Sequence, residues 1–324
     1  MALTFRAVAE DEPGEVWADL FRTHWPAYKA WYLSEGLERR ATYMACLDKL
    51  NRHLPKLVPT YEKLCELAGG GDLAARFLSL WRPPAYISGC SQMVWLGNRP
   101  LLVRNYDYDP RLMDGVILRS AWNGRTVVAM TDCLWGVLDG INDAGLAISL
   151  TFGGRRAVGP GFGIPIILRQ ILEFCETTAQ ATEVLQRVPT HMAYNVTVVD
   201  RHARFSTAYL SPDRNPVIRP IAYATNHQGN VEWHDHARAT ATLEREQFLK
   251  FRLQDDKLSE KALIDAFAKP PLYTRAYERG FGTLYTAVYD PLACRATYIW
   301  PGAQKSFSTR EFEPTEQHID FASH

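Results

Sequence analysis

Asn123-Gly124 separates two apolar runs, GVILRSAW and TVVAMT, and it constrains the fold more than any other dipeptide in the chain. Both residues accept positive φ, so the pair fits the two-residue turn whose twist matches that of two antiparallel strands. The same grammar recurs on either side. MVWLG and LLVRNYDYD flank Asn98-Arg99-Pro100, the strands within LWGVLDGINDAGLAISLTF flank Asn142-Asp143-Ala144-Gly145, and TLYTAVYD and RATYIW are separated at Asp290-Pro291. Consecutive hairpins build antiparallel sheets, and here they outnumber any β-α-β alternation.

The hairpins begin abruptly. Up to about residue 80 the apolar residues recur at three- and four-residue steps (Trp17, Leu20, Phe21, Trp25, then Leu54, Leu57, Tyr61, Leu64, Leu67), which is helical spacing. Gly69-Gly70-Gly71 stops one helix, and Pro83-Pro84 ends the next and forces an extended approach to Ser88-Gly89-Cys90. Helical spacing returns over residues 164–175 and 178–188, and as a charged amphipathic stretch over 237–253; YNVTVVD, ARFSTAYL and VIRPIAYATN read as strands. The pattern predicts an α+β fold: two stacked antiparallel sheets with helices outside them, a four-layer αββα sandwich, preceded by a helical N-terminal leader. The change of texture sets the domain division, residues 1–89 as a leader and 90–324 as the main body.

Composition removes several classes of function. Lys plus Arg and Asp plus Glu both number 36, so no global field draws the protein to nucleic acid or to an anionic membrane surface. The start MALTFRAVAEDEPGEVW has acidic residues where a signal peptide needs an apolar core, and no stretch approaches the roughly 18 apolar residues of a membrane span. These features predict a cytoplasmic protein with neither a nucleic-acid nor a membrane partner; a homo-oligomer is compatible with them. The six cysteines lack paired spacing, which argues against a disulfide framework and a zinc cage. His227, His234, Asp235 and His236 form a rival metal cluster, but their spacing matches no regular element, and no metal is expected.

Cys90 stands where the two textures meet. A glycine before it leaves the preceding carbonyl open to a neighbouring thiol, and the strand returning through Arg104-Asn105-Tyr106-Asp107 can bring charged groups beside it. Taken together, GCSQMVWLGNRPLLVRNYDYDP, GINDAGLAISLTF and ATNHQG, in this order after a helical leader, resemble the isopenicillin N acyltransferase-like enzymes (C45 peptidases) and the related bile salt hydrolases, within the N-terminal-nucleophile (Ntn) hydrolase superfamily. The resemblance extends from Cys90 to about Cys294.

It implies an amide hydrolase or acyltransferase activated by autoproteolysis between Gly89 and Cys90, acting on linear amide C–N bonds through an acyl-enzyme and needing no cofactor. The freed α-amine of Cys90 titrates at about 7.7–8.0 and so can take the thiol proton near neutral pH. By the same resemblance Arg104 lies against the nucleophile and draws the thiol toward thiolate. Asp107 holds the α-amine, Asn226 donates to the oxyanion, and Arg275 supports Asp107, with Arg245 and Arg279 as rivals for that place. Thr151 stands where the bile salt hydrolases have an asparagine. The aromatic residues Trp81, Tyr86, Trp95, Tyr106, Tyr108 and Trp135 suggest a small-molecule amide with a hydrophobic acyl group as substrate, and the cleaved leader is expected to stay bound as a partner. The competing expectation is a chain that is never cleaved and binds a small molecule without catalysis.

Overall fold

The computed structural model describes residues 1–322. Strand β1 (Ala2–Glu10) precedes helices α1 (Glu15–Tyr32), α2 (Tyr43–His53), α3 (Val58–Leu67) and α4 (Asp72–Leu78). An extended segment leads into strands β2 (Gly89–Leu96), β3 (Pro100–Tyr108), β4 (Val116–Ser120), β5 (Val127–Asp132), β6 (Gly136–Asn142) and β7 (Leu146–Phe152). Then come α5 (Ile164–Phe174), α6 (Thr178–Arg187), β8 (Tyr194–Asp200), β9 (Phe205–Ser211), β10 (Arg214–Arg219) and β11 (Tyr223–Ala224). The last part holds α7 (His234–Ala239), α8 (Thr242–Leu253), α9 (Glu260–Phe267), β12 (Arg275–Ala276), β13 (Phe281–Asp290), β14 (Arg295–Trp300), β15 (Ala303–Ser308) and β16 (Thr315–Asp320).

The strands form two sheets. One runs β10-β9-β8-β7-β6-β5-β4-β1-β16, the other β11-β2-β3-β13-β14-β15 with β12 added beside β13. They pack face to face, and their inner faces are joined by polar contacts as well as apolar ones: Gln92 Nε2 donates to Thr197 Oγ1 (2.7 Å) and Ser149 Oγ donates to Gln92 Oε1 (2.6 Å). Helices α5 and α6 cover the outer face of the first sheet, with Ile167, Ile171 and Leu185 fully buried. Helices α8 and α9 cover the second, through Leu249, Leu263 and Phe267 against Met93, Leu101 and Val103. The αββα order expected from the hairpins is therefore present. Asn142 shows how a short motif fixes it: Nδ2 donates to the carbonyls of Leu172 and Cys175 that close α5, while Oδ1 accepts from the N–H groups of Ala144 and Leu146 in the following turn.

Three expectations need correction. The leader is not wholly helical, because residues 2–10 form β1, which lies inside the first sheet between β4 and β16. Its pairing with β4 is parallel, so that sheet is not purely antiparallel. The stretch 237–253 is two helices broken at Ala241, which is left-handed (φ +48°), and α8 turns Arg245 inward instead of lying free on the surface. Among the described residues no helix is long and apolar enough to cross a membrane.

Candidate active site

Register decides which side chains meet Cys90. In the β2–β3 ribbon Cys90 faces Tyr106, Gln92 faces Arg104 and Gly89 faces Asp107. Side chains alternate along a strand, so Cys90, Arg104 and Tyr106 share the face between the sheets, whereas Ser91, Asn105 and Asp107 point to the helical layer. Arg104 accordingly reaches the thiol diagonally, with Nη2 3.1 Å from Sγ. Its Nη1 donates to Asp139 Oδ2 (2.6 Å) and to the Leu138 carbonyl (2.9 Å). Asp139, from β6, also accepts from the hydroxyls of Tyr285 (2.6 Å) and Tyr289, so its position is set from three directions.

Asp107 does not approach the thiol with its carboxylate. That group accepts from Thr283 Oγ1 (2.7 Å) and Arg245 Nη1 (3.2 Å), and it is the backbone N–H of Asp107 that hydrogen-bonds the Cys90 sulfur. Arg245 is the hub of this side. It donates to the Cys90 carbonyl (2.8 Å), to Ser91 Oγ (3.0 Å) and, through Nη2, to Asn226 Oδ1 (2.6 Å). Arg275 is not part of the cluster: it is exposed on β12, beside Arg279 and Phe321. Helix α8, turned inward after Ala241, brings Arg245 there instead.

Asn226 meets Cys90 by its oxygen. Cys90 N–H donates to Oδ1 (3.1 Å), and Nδ2 donates to the Phe152 carbonyl (3.1 Å). Two pure donors against Oδ1 and a carbonyl against Nδ2 fix the amide's orientation. The turn bearing Asn226 is held by Asn195, whose Nδ2 donates to the Thr225 and His227 carbonyls and to Thr151 Oγ1. Gly154 passes so close beneath it that a Cβ would lie 2.1 Å from the Asn226 carbonyl oxygen. Asn195 was legible only as a sequon, and Asp139 only as a residue before a glycine in a strand; neither carries a local signal of its role.

Cys90 is fully buried in the intact chain. Burial lifts its thiol above the ordinary value, and Arg104 opposes this without cancelling it, so the expected net drift toward thiolate is reversed while the chain is uncut. Burial likewise raises the Asp107 carboxyl, against the pull of Arg245. The Phe281 ring lies over Gly89, where a Cβ would sit 1.9 Å from it. A cavity of about 410 Å³ lies between α1, the segment Ala85–Ile87 and the β3–β4 connection; Tyr86 and Tyr108 line it, whereas Trp135 belongs to the core, with Nε1 on the Leu78 carbonyl. The histidines do not converge. His234 is exposed, His236 stacks on Trp233, and His227 contacts Thr242 and Glu246; among the described residues no group of three His, Cys, Asp or Glu side chains is placed to hold a metal ion.

A search of curated proteins finds no match. Among solved structures, the chain is similar to the C2A mutant of the conjugated bile acid hydrolase from Clostridium perfringens (9% identity, 71% of this chain and 97% of that one, TM-score 0.48). It is also similar to penicillin V acylase from Agrobacterium tumefaciens (15%, 72% and 87%, 0.45) and to the N-acylethanolamine-hydrolyzing acid amidase ortholog of Caenorhabditis elegans (17%, 63% and 92%, 0.43). These are likenesses of fold alone. The family model described as acyl-coenzyme A:6-aminopenicillanic acid acyl-transferase matches residues 95–305, starting within the strand that carries Cys90. Since that span is more than half of the sequence, the chain belongs to the acyl-coenzyme A:6-aminopenicillanic acid acyl-transferase family.

Proposed function

We propose that the protein is an N-terminal-nucleophile cysteine amide hydrolase or acyltransferase that matures by cutting its own backbone between Gly89 and Cys90. The observation that carries this reading is the convergence on one residue: Arg104 on the thiol, Asn226 on the backbone N–H and Arg245 on the carbonyl of Cys90. A core cysteine kept only for packing needs none of these. In the maturation step Cys90 Sγ attacks the Gly89 carbonyl carbon, the C–N bond breaks as the acyl group moves to sulfur, and water hydrolyses the thioester. This leaves a carboxylate on Gly89 and an α-amine on Cys90.

In turnover that amine takes the thiol proton, sulfur attacks the substrate amide, and the proton passes to the departing amine. Water or an acceptor amine then releases the acyl group. Asn226 Oδ1 keeps the α-amine oriented, and the second Nδ2 proton, not used by Phe152, is the candidate oxyanion donor; loss of such a donor costs about 10²–10³ in kcat elsewhere. Asp107 acts on Cys90 through Arg245 and its own backbone N–H. The division into a leader (1–89) and a catalytic body (90–324) is part of the same proposal.

Intact-mass measurement of wild type beside Cys90→Ala tests it. Two fragments dividing before Cys90 in wild type and a single 36.8 kDa chain in the variant are expected, together with loss of acyl-amide turnover. An uncut wild type that turns over amides would overturn the mechanism. An uncut wild type that binds them without turnover would make the chain a binding protein on the same scaffold.

A further inference from the structure

The chemistry proposed above consumes water, first on the leader thioester and again in each hydrolytic turnover, at a residue that solvent does not touch: Cys90 is 0% exposed and Gly89 is buried. The 410 Å³ cavity is lined by none of the side chains hydrogen-bonded to Cys90. A smaller cavity, of about 210 Å³, is lined by Asp107 and Arg245. It opens beside Ala239, exposed at the end of α7, and beside the half-buried Tyr273 and Thr274, and its walls run inward to Asp107 and Arg245, which are 1% and 2% exposed.

Three wall residues of this smaller cavity reach Cys90 or the link before it. The backbone N–H of Asp107 hydrogen-bonds the Cys90 sulfur, Arg245 Nη1 donates to the Cys90 carbonyl (2.8 Å), and the Phe281 ring lies against Gly89. Gly89 and Asp107 are cross-strand partners, so Gly89 faces the same side of the ribbon as the Asp107 carboxylate. The sulfur lies on the other side, and in the intact chain the backbone of β2 separates the two. From the acyl shift onward the strand begins at the Cys90 nitrogen, and around that free end the cavity side and the sulfur meet. The contents of the wall suit water. There is room for several molecules, each taking about 30 Å³ in the liquid. Asp107 accepts from Thr283 Oγ1 and Arg245 Nη1, and a carboxylate has lone pairs left for further donors. Thr240, Tyr273 and Thr274, each bearing a hydroxyl, form more of the wall.

We propose that the 210 Å³ cavity is a water inlet, which brings the hydrolytic water to the acyl group on Cys90 from the Asp107 side, past the Phe281 ring, while the leaving amine departs by another route. The water oxygen bonds to the acyl carbon, and its proton passes to the Cys90 α-amine and on to the departing sulfur. The C–S bond breaks and a carboxylic acid leaves. The same step frees the leader, with Gly89 as the acid. This inference rests on the amide-cleaving reading above, and it separates hydrolysis from acyl transfer: an amine that returns by the way the leaving amine departs has no need of the inlet.

The test uses the full, matured chain, one acyl amide that it cleaves, and the amine of that amide supplied in deuterated form. Hydrolysis gives the acid, and return of the amine gives deuterated amide. Ala239→Trp, which fills the mouth of the inlet from an exposed position, is expected to lower the ratio of acid to deuterated amide at least about tenfold, with Thr274→Trp serving if the first variant does not fold. The ratio depends neither on the rate of acylation nor on the fraction of active protein, so a merely structural effect leaves it unchanged. Should a variant halt before cleavage, hydroxylamine in denaturant is expected to release the leader as its Gly89 hydroxamate, which is the same block one step earlier. An unchanged ratio in the matured variants, or an uncut variant that yields no hydroxamate, overturns the inlet and leaves the amide-cleaving reading intact. Neither acid nor deuterated amide from wild type would overturn that reading, and the inlet with it.

Discussion

Gly89 illustrates how a single hydrogen in place of a methyl group controls access to a bond. The Phe281 ring occupies the space that any side chain there would need, and it does so beside the peptide bond proposed to be cut. Gly89→Ala is therefore expected to displace the ring and slow cleavage by an order of magnitude or more, by shifting the carbonyl away from Cys90 Sγ; a misplacement of about 1 Å costs about 10²-fold in comparable cases. Gly89→Ala with Phe281→Ala should recover most of the rate, which a mass-spectrometric time course of cleavage would measure. Equal rates for wild type and the single variant would show that the close approach has no role. Sequence made Gly89 and Cys90 legible because they are adjacent and stand at a change of texture. Phe281 was not legible, since nothing local tells which of 14 phenylalanines crosses to a glycine nearly two hundred residues earlier.

Among elements, α8 departs furthest from its sequence pattern. Its charged, mixed face reads as a solvated surface, yet Arg245 points inward and joins Cys90, Ser91, Asp107 and Asn226. An arginine that serves four buried partners looks, in a helical pattern, like one more exposed charge, and this is why three arginines remained candidates until the tertiary contacts were known. Arg245→Met leaves Asp107 buried without its counter-charge, and a loss of about 3–5 kcal/mol is expected in urea unfolding. Arg245→Met with Asp107→Asn should regain much of it, because no unpaired charge then remains. A double variant as unstable as the single one would mean that Arg245 acts by packing alone. The hairpins up to β14, by contrast, were legible, because turn chemistry and alternation are both local signals, whereas β15, which pairs with β14, was not anticipated.

At the scale of the whole molecule, the αββα layering followed from the hairpin count and the flanking helices, while the contribution of the leader to a sheet did not. ALTFRAVAE does alternate, with Phe5 and Ala7 buried, but its partners are β4 and β16, and no short-range pattern announces a pairing such as Ala2 with Asp320. The leader also reaches the body through Trp17 Nε1 to the Leu134 carbonyl (3.2 Å) and Thr60 Oγ1 to Asn123 Oδ1 (3.2 Å). If the chain is cut before Cys90, the two pieces are expected to co-purify through salt and dilution and to part only in denaturant, as size-exclusion chromatography of the matured protein would reveal. Elution of a free leader would refute this.

The placing of β1 has a consequence for timing. Its outer neighbour is made from residues 315–320, so residues 2–10 have to wait for a segment synthesised much later before their hydrogen bonds are filled on both edges. A backbone severed before that moment would set adrift a strand whose place in the sheet had not yet closed around it. The proposed scission is safe only afterwards, when the ladder on each side would already clasp the piece that loses its covalent tether.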